Sequence, residues 1–211
     1  MAEHLGTPYI FAAVVGEARG LEQDGDGTLL AHASSWVNAN RNEGTADEIA
    51  KALCEALGAE KMIWAPGLKG EDVTDYHIDA LARFVVPGRV LIQLPAKRDS
   101  ADPWATAPYQ NYDILQTAID AKGRKLDVIV LPEPQDLRVS DQDFVASYVN
   151  YYVCNGAVIA AEFGDDKADA KASELLKQLY PGREVVSLNI DAIGQSRGGI
   201  HCATQQMPKS A

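Results

Sequence analysis

The 211-residue sequence is poor in cysteine and contains no long apolar run. Its three cysteines lie far apart and are odd in number, which argues against a disulfide framework. No stretch approaches the roughly 20 apolar residues that a membrane-spanning helix needs. The first residues also lack the basic and then apolar regions of a secretory signal peptide. These absences predict a cytoplasmic protein that does not enter a membrane.

Positive charge is also scarce, because 19 lysines and arginines stand against 30 aspartates and glutamates and give a net charge of −11. Phosphate binding needs a basic surface, so nucleic acid is not expected as a partner. The same balance mildly favours a small cationic substrate. The four histidines and three cysteines form no close pairing of the kind that zinc sites use, so no metal is predicted.

One cysteine stands in a setting unlike the other two. Cys54 and Cys154 lie inside apolar runs, where a free cysteine usually behaves as a small hydrophobe. Cys202 instead follows a glycine pair and His201, and polar residues come after it. Since glycines let the backbone approach a ligand closely, Cys202 is a candidate nucleophile, with a strand-end cysteine of no chemistry as the alternative. In an extended segment His201 points to the opposite face, which favours a structural role for it.

A second segment, residues 70–84, carries groups suited to acid–base work. In an extended chain His77 and Asp79 share one face, with Asp75 next along it. A histidine and a carboxylate that project together fit proton transfer and recognition of a cation, although such a pair is often only a surface hydrogen bond. A cysteine and a histidine far apart in sequence, brought together by the fold, are typical of a thiol nucleophile with its base.

The chain repeats a pattern of strands and a helix. Turn signals at residues 24–25, 87–88 and 155–156 each separate two apolar runs, and they lie roughly 65 residues apart. A capped helical pattern and a short apolar strand follow each turn. A strand–strand–helix–strand unit repeated three times predicts an α/β propeller or array, with one mixed α/β sheet as the alternative. The predicted strands before each turn are 9–15, 82–86 and 148–153, those after it are 28–33, 89–94 and 157–161, the helices are 46–57, 111–121 and 165–179, and the closing strands are 62–64, 128–131 and 185–188.

The segments around His77 and Cys202 resemble the agmatine deiminases and the bacterial-type peptidylarginine deiminases. The order and spacing of the similar segments agree with that family from about residue 12 to the C-terminus. The resemblance implies α/β architecture of the pentein type, which is a five-bladed propeller. Residues 1–211 are expected to form a single domain of about three blades. This domain matches the C-terminal part of the family. The segments that carry the resemblance are 24–30, 38–42, 75–79, 83–90, 147–152, 181–186 and 198–206.

The resemblance also implies the chemistry of the site. Cys202 is expected to attack the guanidinium carbon of the substrate, and His77 to protonate the leaving ammonia and then deprotonate water. Asp79 and Glu17 are expected to hold the guanidinium nitrogens through charge-assisted hydrogen bonds. Asn150, inside an aromatic run near the site, is either a substrate contact or a structural residue that needs a hydrogen-bond partner. Such chemistry needs no cofactor.

Several features depart from the family pattern. Glu17 is followed by Ala18 and Arg19 where relatives have two glycines, and Arg19 brings a competing counter-ion to the site carboxylates. Asp75 and Tyr76 stand where relatives have a small residue or glycine before the histidine. Relatives also have a tryptophan–arginine–aspartate block that supplies another guanidinium-binding carboxylate, and nothing in this sequence matches it.

Three functions therefore remain open. Hydrolysis of a guanidinium compound is favoured by the cysteine, the histidine and the two carboxylates. Agmatine, which would give N-carbamoylputrescine and ammonia, is the preferred substrate, and free or peptidyl arginine is the next candidate. The missing block favours a catalytically impaired structural or regulatory module, or one half of a split deiminase. Amidino transfer to an amine is the third. Because three blades of five leave open strand edges, we expect a homo-oligomer, above all a dimer, or a separate chain that supplies the N-terminal blades.

Overall fold

The computed structural model describes residues 6, 8, 11–141 and 143–207. In this part the chain forms three three-stranded sheets, one after another along the sequence. Each sheet pairs its first two strands antiparallel and its last two parallel, and a helical connection joins the parallel pair. The predicted strand–strand–helix–strand unit thus occurs three times, and we call each unit a blade.

The first blade contains the strands β1 (Leu21–Gln23), β2 (Thr28–His32) and β3 (Lys61–Ala65). Between β2 and β3 lie a short helix, α1 (Ala33–Trp36), and a longer one, α2 (Ala46–Leu57). Every residue of β2 is buried, because this central strand has a helix-covered face on each side.

The second blade is built from β4 (Ala82–Val86), β5 (Arg89–Leu94), the helix α3 (Pro103–Thr117) and β6 (Asp127–Pro132). Its central strand β5 is buried after the first residue, as β2 is in the first blade. Among the described residues, no helix in any blade is long and apolar enough to cross a membrane.

The third blade repeats the order with β7 (Tyr152–Cys154), β8 (Ala157–Glu162), the helix α4 (Asp166–Leu179) and β9 (Glu184–Asn189). A last short helix, α5 (Asp191–Gly194), follows β9 and leads toward the segment that carries Cys202.

The long helices begin at polar caps, which the sequence predicted for α2 and α4 but not for α3. Thr45 and Glu48 form a capping box at the start of α2, which ends before Gly58 in the left-handed conformation with φ of 67°. The carboxylates of Asp102 and Asp165 accept backbone N–H groups at the starts of α3 and α4. These caps satisfy amide groups that have no partner inside a helix.

Helix α3 differs from the prediction of a helix over residues 111–121. It begins at Pro103, because Asp102 accepts a hydrogen bond from the amide of Trp104 at 2.9 Å and a proline in the first turn needs no amide partner. It ends at Thr117, since Ala118 already has extended backbone angles. The helix is therefore longer than predicted and lies earlier in the chain.

Two predicted strands are also wrong in their bounds. Residues 9 and 10 of the predicted strand 9–15 lie outside the described residues, residues 11–15 are not in a strand, and β1 pairs with β2 in its place. The predicted strand 148–153 is a strand only from Tyr152. Before it, the amide of Tyr148 donates to the Gln93 side chain and that of Asn150 donates to Ser147, so this buried segment bonds outside a strand ladder.

The blades pack through their helices. One face of each sheet contacts the helix of its own blade, and in the first two blades the other face packs into the apolar cluster that contains the next blade's helix. Leu30 and Ile63 of the first sheet share a cluster with Leu115 of α3. Leu91 of the second sheet shares one with Leu176 of α4. Burial of these faces at about 25 cal/mol per Å² supplies most of the stabilisation between blades.

No further blade, with a long helix to pack on the third sheet, follows it among the described residues. Ile159 of β8 pairs in register with Val186 of β9, and on this face Leu188 is 45% exposed. On the other two sheets α3 and α4 cover this face, whereas here it is only partly covered: Ala161 is buried, Ile159 is partly buried and Leu188 is exposed.

A buried ion pair joins the blades near their inner strands. Arg83 of β4 donates through Nε to Oε1 of Glu22 in β1 at 2.8 Å, and both side chains are less than a tenth exposed. The Arg83 guanidinium also lies 4.8 Å from the centre of the Tyr151 ring and donates to the carbonyl of Tyr151. One arginine therefore connects the first, second and third blades.

Candidate active site

The candidate active site is a cleft of about 370 Å³. It is lined by the segment that leads into the second blade, by residues of that blade, by the connection from it to the third blade, and by the C-terminal segment. Cys202, His77 and Asp79 all line it. The sequence predicted that these three residues belong to one site. Cys202 lies 123 positions after Asp79 and 125 after His77, and the fold brings all three to one surface. Glu17 and Asn150 contact members of this group without lining the cleft.

The segment before His77 is held in an uncommon backbone conformation. Asp75 and Tyr76 have φ of 57° and 67°, a left-handed region that residues other than glycine seldom adopt. Oδ1 of Asp72 accepts the amide of Tyr76 at 3.1 Å, and the carbonyl of Tyr76 contacts Nδ1 of His32 at 2.7 Å. These contacts stabilise a turn where, on the family pattern, a small residue or glycine is expected.

His77 and Asp79 are not in an extended strand, so the alternation used in the sequence prediction does not apply. Residues Ile78–Ala80 form a 3₁₀ turn that follows His77 directly. Both side chains nevertheless line the cleft. Asp75, expected on the same face, points elsewhere: Oδ2 accepts from Arg41 at 2.8 Å and from Asn38 at 3.0 Å.

Arg41 fixes two carboxylates near His77. Its Nε donates to Oε2 of Glu17 at 2.7 Å, and its Nη1 donates to Oδ2 of Asp75. Burial alone would raise the pKa of both carboxyl groups, but the hydrogen bond and charge of Arg41 outweigh that effect and hold each pKa below its ordinary value. Both groups are therefore anionic at neutral pH.

Glu17 lies beside His77. Oε2 of Glu17 is 3.3 Å from Nε2 of His77, and the Glu17 side chain is 51% exposed. The predicted carboxylate is thus at the site but is bound by Arg41, and its contact with the other site residues runs through the imidazole of His77.

Asp79 is completely buried, and its two carboxylate oxygens have different surroundings. Oδ2 lies 2.7 Å from Nδ1 of His201, accepts from Nδ2 of Asn150 at 3.0 Å, and is 3.6 Å from the sulfur of Cys202. Oδ1 has no hydrogen-bond partner among the described residues. A buried carboxylate oxygen without a partner is costly, and a cationic ligand would satisfy it.

The amide group of Asn150 connects this carboxylate to the cysteine segment. Its Nδ2 donates to Asp79 and lies 3.3 Å from the sulfur of Cys202, while its Oδ1 accepts the backbone amides of His201 at 2.9 Å and Cys202 at 3.3 Å. A Cβ on Gly199 would lie 2.3 Å from Oδ1 of Asn150, which explains a glycine at that position. Both ends of the amide are engaged by protein groups.

Cys202 is exposed as a residue, yet its sulfur sits against Asp79 and Asn150. Burial of the thiol raises its pKa, the negative charge of Asp79 raises it further, and the hydrogen bond from Asn150 opposes the rise in part. In the free protein Cys202 is therefore mainly a thiol at neutral pH.

His201 is the residue that sequence reasoning placed wrongly. Residues 201–203 lie in turns, so the alternation of an extended chain does not apply, and the His201 ring contacts the Asp79 carboxylate. Nη1 of Arg19 lies 3.4 Å from Nε2 of this ring. Arg19 thus meets a histidine, whereas the sequence suggested a direct counter-ion for the site carboxylates. The described residues contain no cluster of three metal-binding side chains.

Three strand–strand–helix–strand blades with a cysteine, a histidine and a buried aspartate in one cleft define a partial pentein with a candidate thiol site. Residues 1–208 match the model of the Porphyromonas-type peptidyl-arginine deiminases. The chain belongs to this family.

Individual relatives agree with this assignment. The chain is 35% identical over 222 residues to the agmatine deiminase of Medicago truncatula, covering 95% of this chain and 59% of the relative. The agmatine deiminase structure of Enterococcus faecalis superposes with a TM-score of 0.88 at 29% identity, over 99% of this chain and 61% of that one. The C. jejuni agmatine deiminase matches with a TM-score of 0.76 at 26% identity, over 90% and 55%.

These matches confirm the predicted fold class, a partial pentein. The chain spans 58% of the Legionella pneumophila relative and 59% of the Medicago truncatula relative, so it corresponds to a part of each.

Proposed function

We propose that the chain carries the thiol half of a guanidine deiminase site and hydrolyses agmatine to N-carbamoylputrescine and ammonia. The observation that most supports this proposal is the unpaired, buried Oδ1 of Asp79 in a cleft that Cys202 and His77 also line. A guanidinium N–H is a donor of the right charge for that oxygen. The activity for which these relatives are named, agmatine deiminase, supports the same proposal.

In the proposed first step the Cys202 sulfur forms a bond to the guanidinium carbon. The thiol first gives its proton to His77, and a bound guanidinium cation beside the sulfur lowers the pKa of the thiol, against the effects of burial and of Asp79. His77 gives a proton to the departing nitrogen, the carbon–nitrogen bond breaks, and ammonia leaves. The product of this step is an amidino-thioether on Cys202.

In the second step His77 takes a proton from water, which attacks the same carbon. The carbon–sulfur bond breaks, Cys202 returns as a thiolate, and the carbamoyl product leaves. Water and agmatine thus become ammonia and N-carbamoylputrescine with no change of oxidation state. Asp79 and Glu17 hold the substrate in this scheme, while Asn150 is assigned to orienting Asp79 and the cysteine segment because both ends of its amide are occupied. No cofactor takes part.

Agmatine is preferred to arginine because of the charges around the cleft. Glu71, Asp72 and Glu133 line it, and burial raises the pKa of Glu133. The one lining arginine, Arg197, is paired with Asp143. A substrate with an ammonium tail meets carboxylates here, whereas the carboxylate of free arginine meets like charge. Arginine and peptidyl arginine are the next candidates, and amidino transfer is a more distant one.

The full site requires a further carboxylate. The tryptophan–arginine–aspartate block expected from the family resemblance is missing from this sequence, and losing one carboxylate that binds a desolvated cation removes about 2–5 kcal/mol. We therefore propose slow turnover by the chain alone, roughly thirtyfold to several thousandfold below a complete site. We also propose that a complementing chain, or a second copy of this one, supplies the missing carboxylate. The proposed location is the cytoplasm.

The test is agmatine-dependent ammonia release by the purified 211-residue chain, with mass spectrometry of trapped adducts on Cys202. We expect the parent chain to release ammonia slowly. The Cys202→Ser variant should release none, and the matched control Cys154→Ser should release it at the parent rate. Turnover at ordinary enzyme rates would contradict the need for another carboxylate. If the chain neither releases ammonia nor forms a Cys202 adduct, the deiminase proposal fails and the impaired structural or regulatory module is favoured.

A further inference from the structure

The two carboxylate oxygens of Asp79 have unequal numbers of contacts, and the group nearest to Oδ2 is His201. Its Nδ1 lies 2.7 Å from Oδ2, nearer than the Asn150 amide at 3.0 Å or the Cys202 sulfur at 3.6 Å. All three contacts fall on one oxygen, and Oδ1 has no partner in the described part of the chain. The groups that hold Oδ2 therefore also set the orientation of the carboxylate and the direction in which Oδ1 points.

The protonation of the His201 ring follows from its second neighbour. A guanidinium has only donors, and Nη1 of Arg19 lies 3.4 Å from Nε2 of His201. The Gln206 side-chain nitrogen, also a donor, lies 3.5 Å from the same atom. Nε2 must then be the accepting, unprotonated nitrogen, so Nδ1 carries the proton and donates to Asp79.

We propose that His201 is a positioning residue: with Nε2 facing Arg19, it donates through Nδ1–H to Oδ2 of Asp79 and leaves Oδ1 free for a guanidinium N–H. This inference rests on the proposed function in one respect, namely that Asp79 receives the guanidinium. His201 acts through Asp79, since it is 4% exposed and is not among the described residues that line the cleft.

A simpler role is that the His201 ring only fills space beneath the cysteine segment. The two roles make different demands on the side chain. A space-filling role needs a flat ring of similar size, which phenylalanine provides. A positioning role needs an N–H at the place of Nδ1, which the side-chain amide of asparagine provides and phenylalanine does not. Glutamine places its amide farther out, toward Arg19, and is the matched control for asparagine.

The first experiment measures the dissociation constant of agmatine by calorimetry for the full chain and three variants, with thermal unfolding recorded for each. His201→Phe and His201→Gln should weaken binding about tenfold to a hundredfold, since a hydrogen bond to a charged group is lost. His201→Asn should stay within about threefold of the parent. If phenylalanine binds agmatine as tightly as the parent, or if asparagine is as weak as phenylalanine, the positioning role is wrong.

The second experiment does not depend on substrate. Nitrogen-15 NMR of labelled histidine, with the His201 signals assigned by their loss in His201→Asn, reports which ring nitrogen carries the proton. A proton on Nδ1 alone is expected, and a proton on Nε2 or on both nitrogens would overturn the proposal. If the parent chain binds no agmatine but shows the Nδ1–H form, the proposed function fails while the assignment of His201 stands.

Discussion

Arg83 and Glu22 form an ion pair of 2.8 Å between two blades, and both side chains are buried. Removing one member of such a pair leaves an uncompensated charge in the interior. Glu22→Gln or Arg83→Met should each lower the free energy of unfolding by about 3–5 kcal/mol, measured by urea denaturation. The double variant should recover part of the loss, because no charge is then left alone.

The exposed pair between Arg89 and Asp127 offers the matched control for that prediction. Its side chains are 46% and 58% exposed, so Arg89→Gln should cost no more than about 1 kcal/mol. Equal losses for Arg89→Gln and Arg83→Met would show that burial does not govern the contribution of these pairs.

Gly199 is required by close approach to Asn150. In Gly199→Ala the new Cβ would meet Oδ1 of Asn150 at 2.3 Å, so the segment carrying Cys202 must shift. Overpacking of this kind costs about 1–3 kcal/mol, and agmatine binding should weaken as well. The neighbouring Gly198→Ala places its Cβ 3.4 Å from that of Cys202, an ordinary contact, and serves as control. Unfolding midpoints that fall equally in both variants would contradict this explanation.

His32 makes stability depend on pH. Burial lowers its pKa to about 4, despite its contacts with the Tyr76 carbonyl and with Asn111. Between that value and the ordinary pKa near 6.5 the unfolded chain binds the proton and the folded one does not, so stability falls as pH decreases. From pH 7 to pH 5 the expected loss is about 2 kcal/mol. A His32→Gln variant should lack this component, and identical pH slopes for the two proteins would exclude it.

The partly open face of the third sheet predicts self-association. Leu188 and its neighbours on this face occupy the position that a helix covers on the other two sheets, and a second copy can bury the face by two-fold symmetry. Light scattering at micromolar concentration should give a dimer, and Leu188→Glu should shift it toward the monomer. A parent chain of 22.7 kDa that stays monomeric would show that this face needs no partner.

The repeated blades were predictable because local chemistry marks them. Turn glycines, capping residues such as Thr45 and Asp165, and apolar runs of strand length all point to the same unit. The start of α3 was missed although Asp102 and Pro103 are typical of a helix start, since the apolar pattern is clearer farther along. The segment before Tyr152 was taken for a strand because its side chains are apolar, yet its amides bond to side chains and turns.

At the site, residue types and the family resemblance identified Cys202, His77 and Asp79, and the fold places them on one cleft. Their roles remain predictions. His201 could not be placed from the sequence, because its orientation depends on a turn and on a contact with Asp79 from 122 positions earlier. Likewise, nothing in the sequence indicates that Arg41 would bind Glu17 and Asp75 together.

Because sheets and helices alternate along the described chain, the two ends of the array present different surfaces. At one end helix α2 lies outside the first sheet, and at the other the third sheet presents a partly covered face with Leu188 exposed. A face that accepts a helix and a helix that can lie on such a face are complementary surfaces on the same molecule. Pairing of like ends stops at two copies, whereas pairing of unlike ends continues to a ring or a filament. Controlling association in this protein therefore means controlling which of the two ends is available.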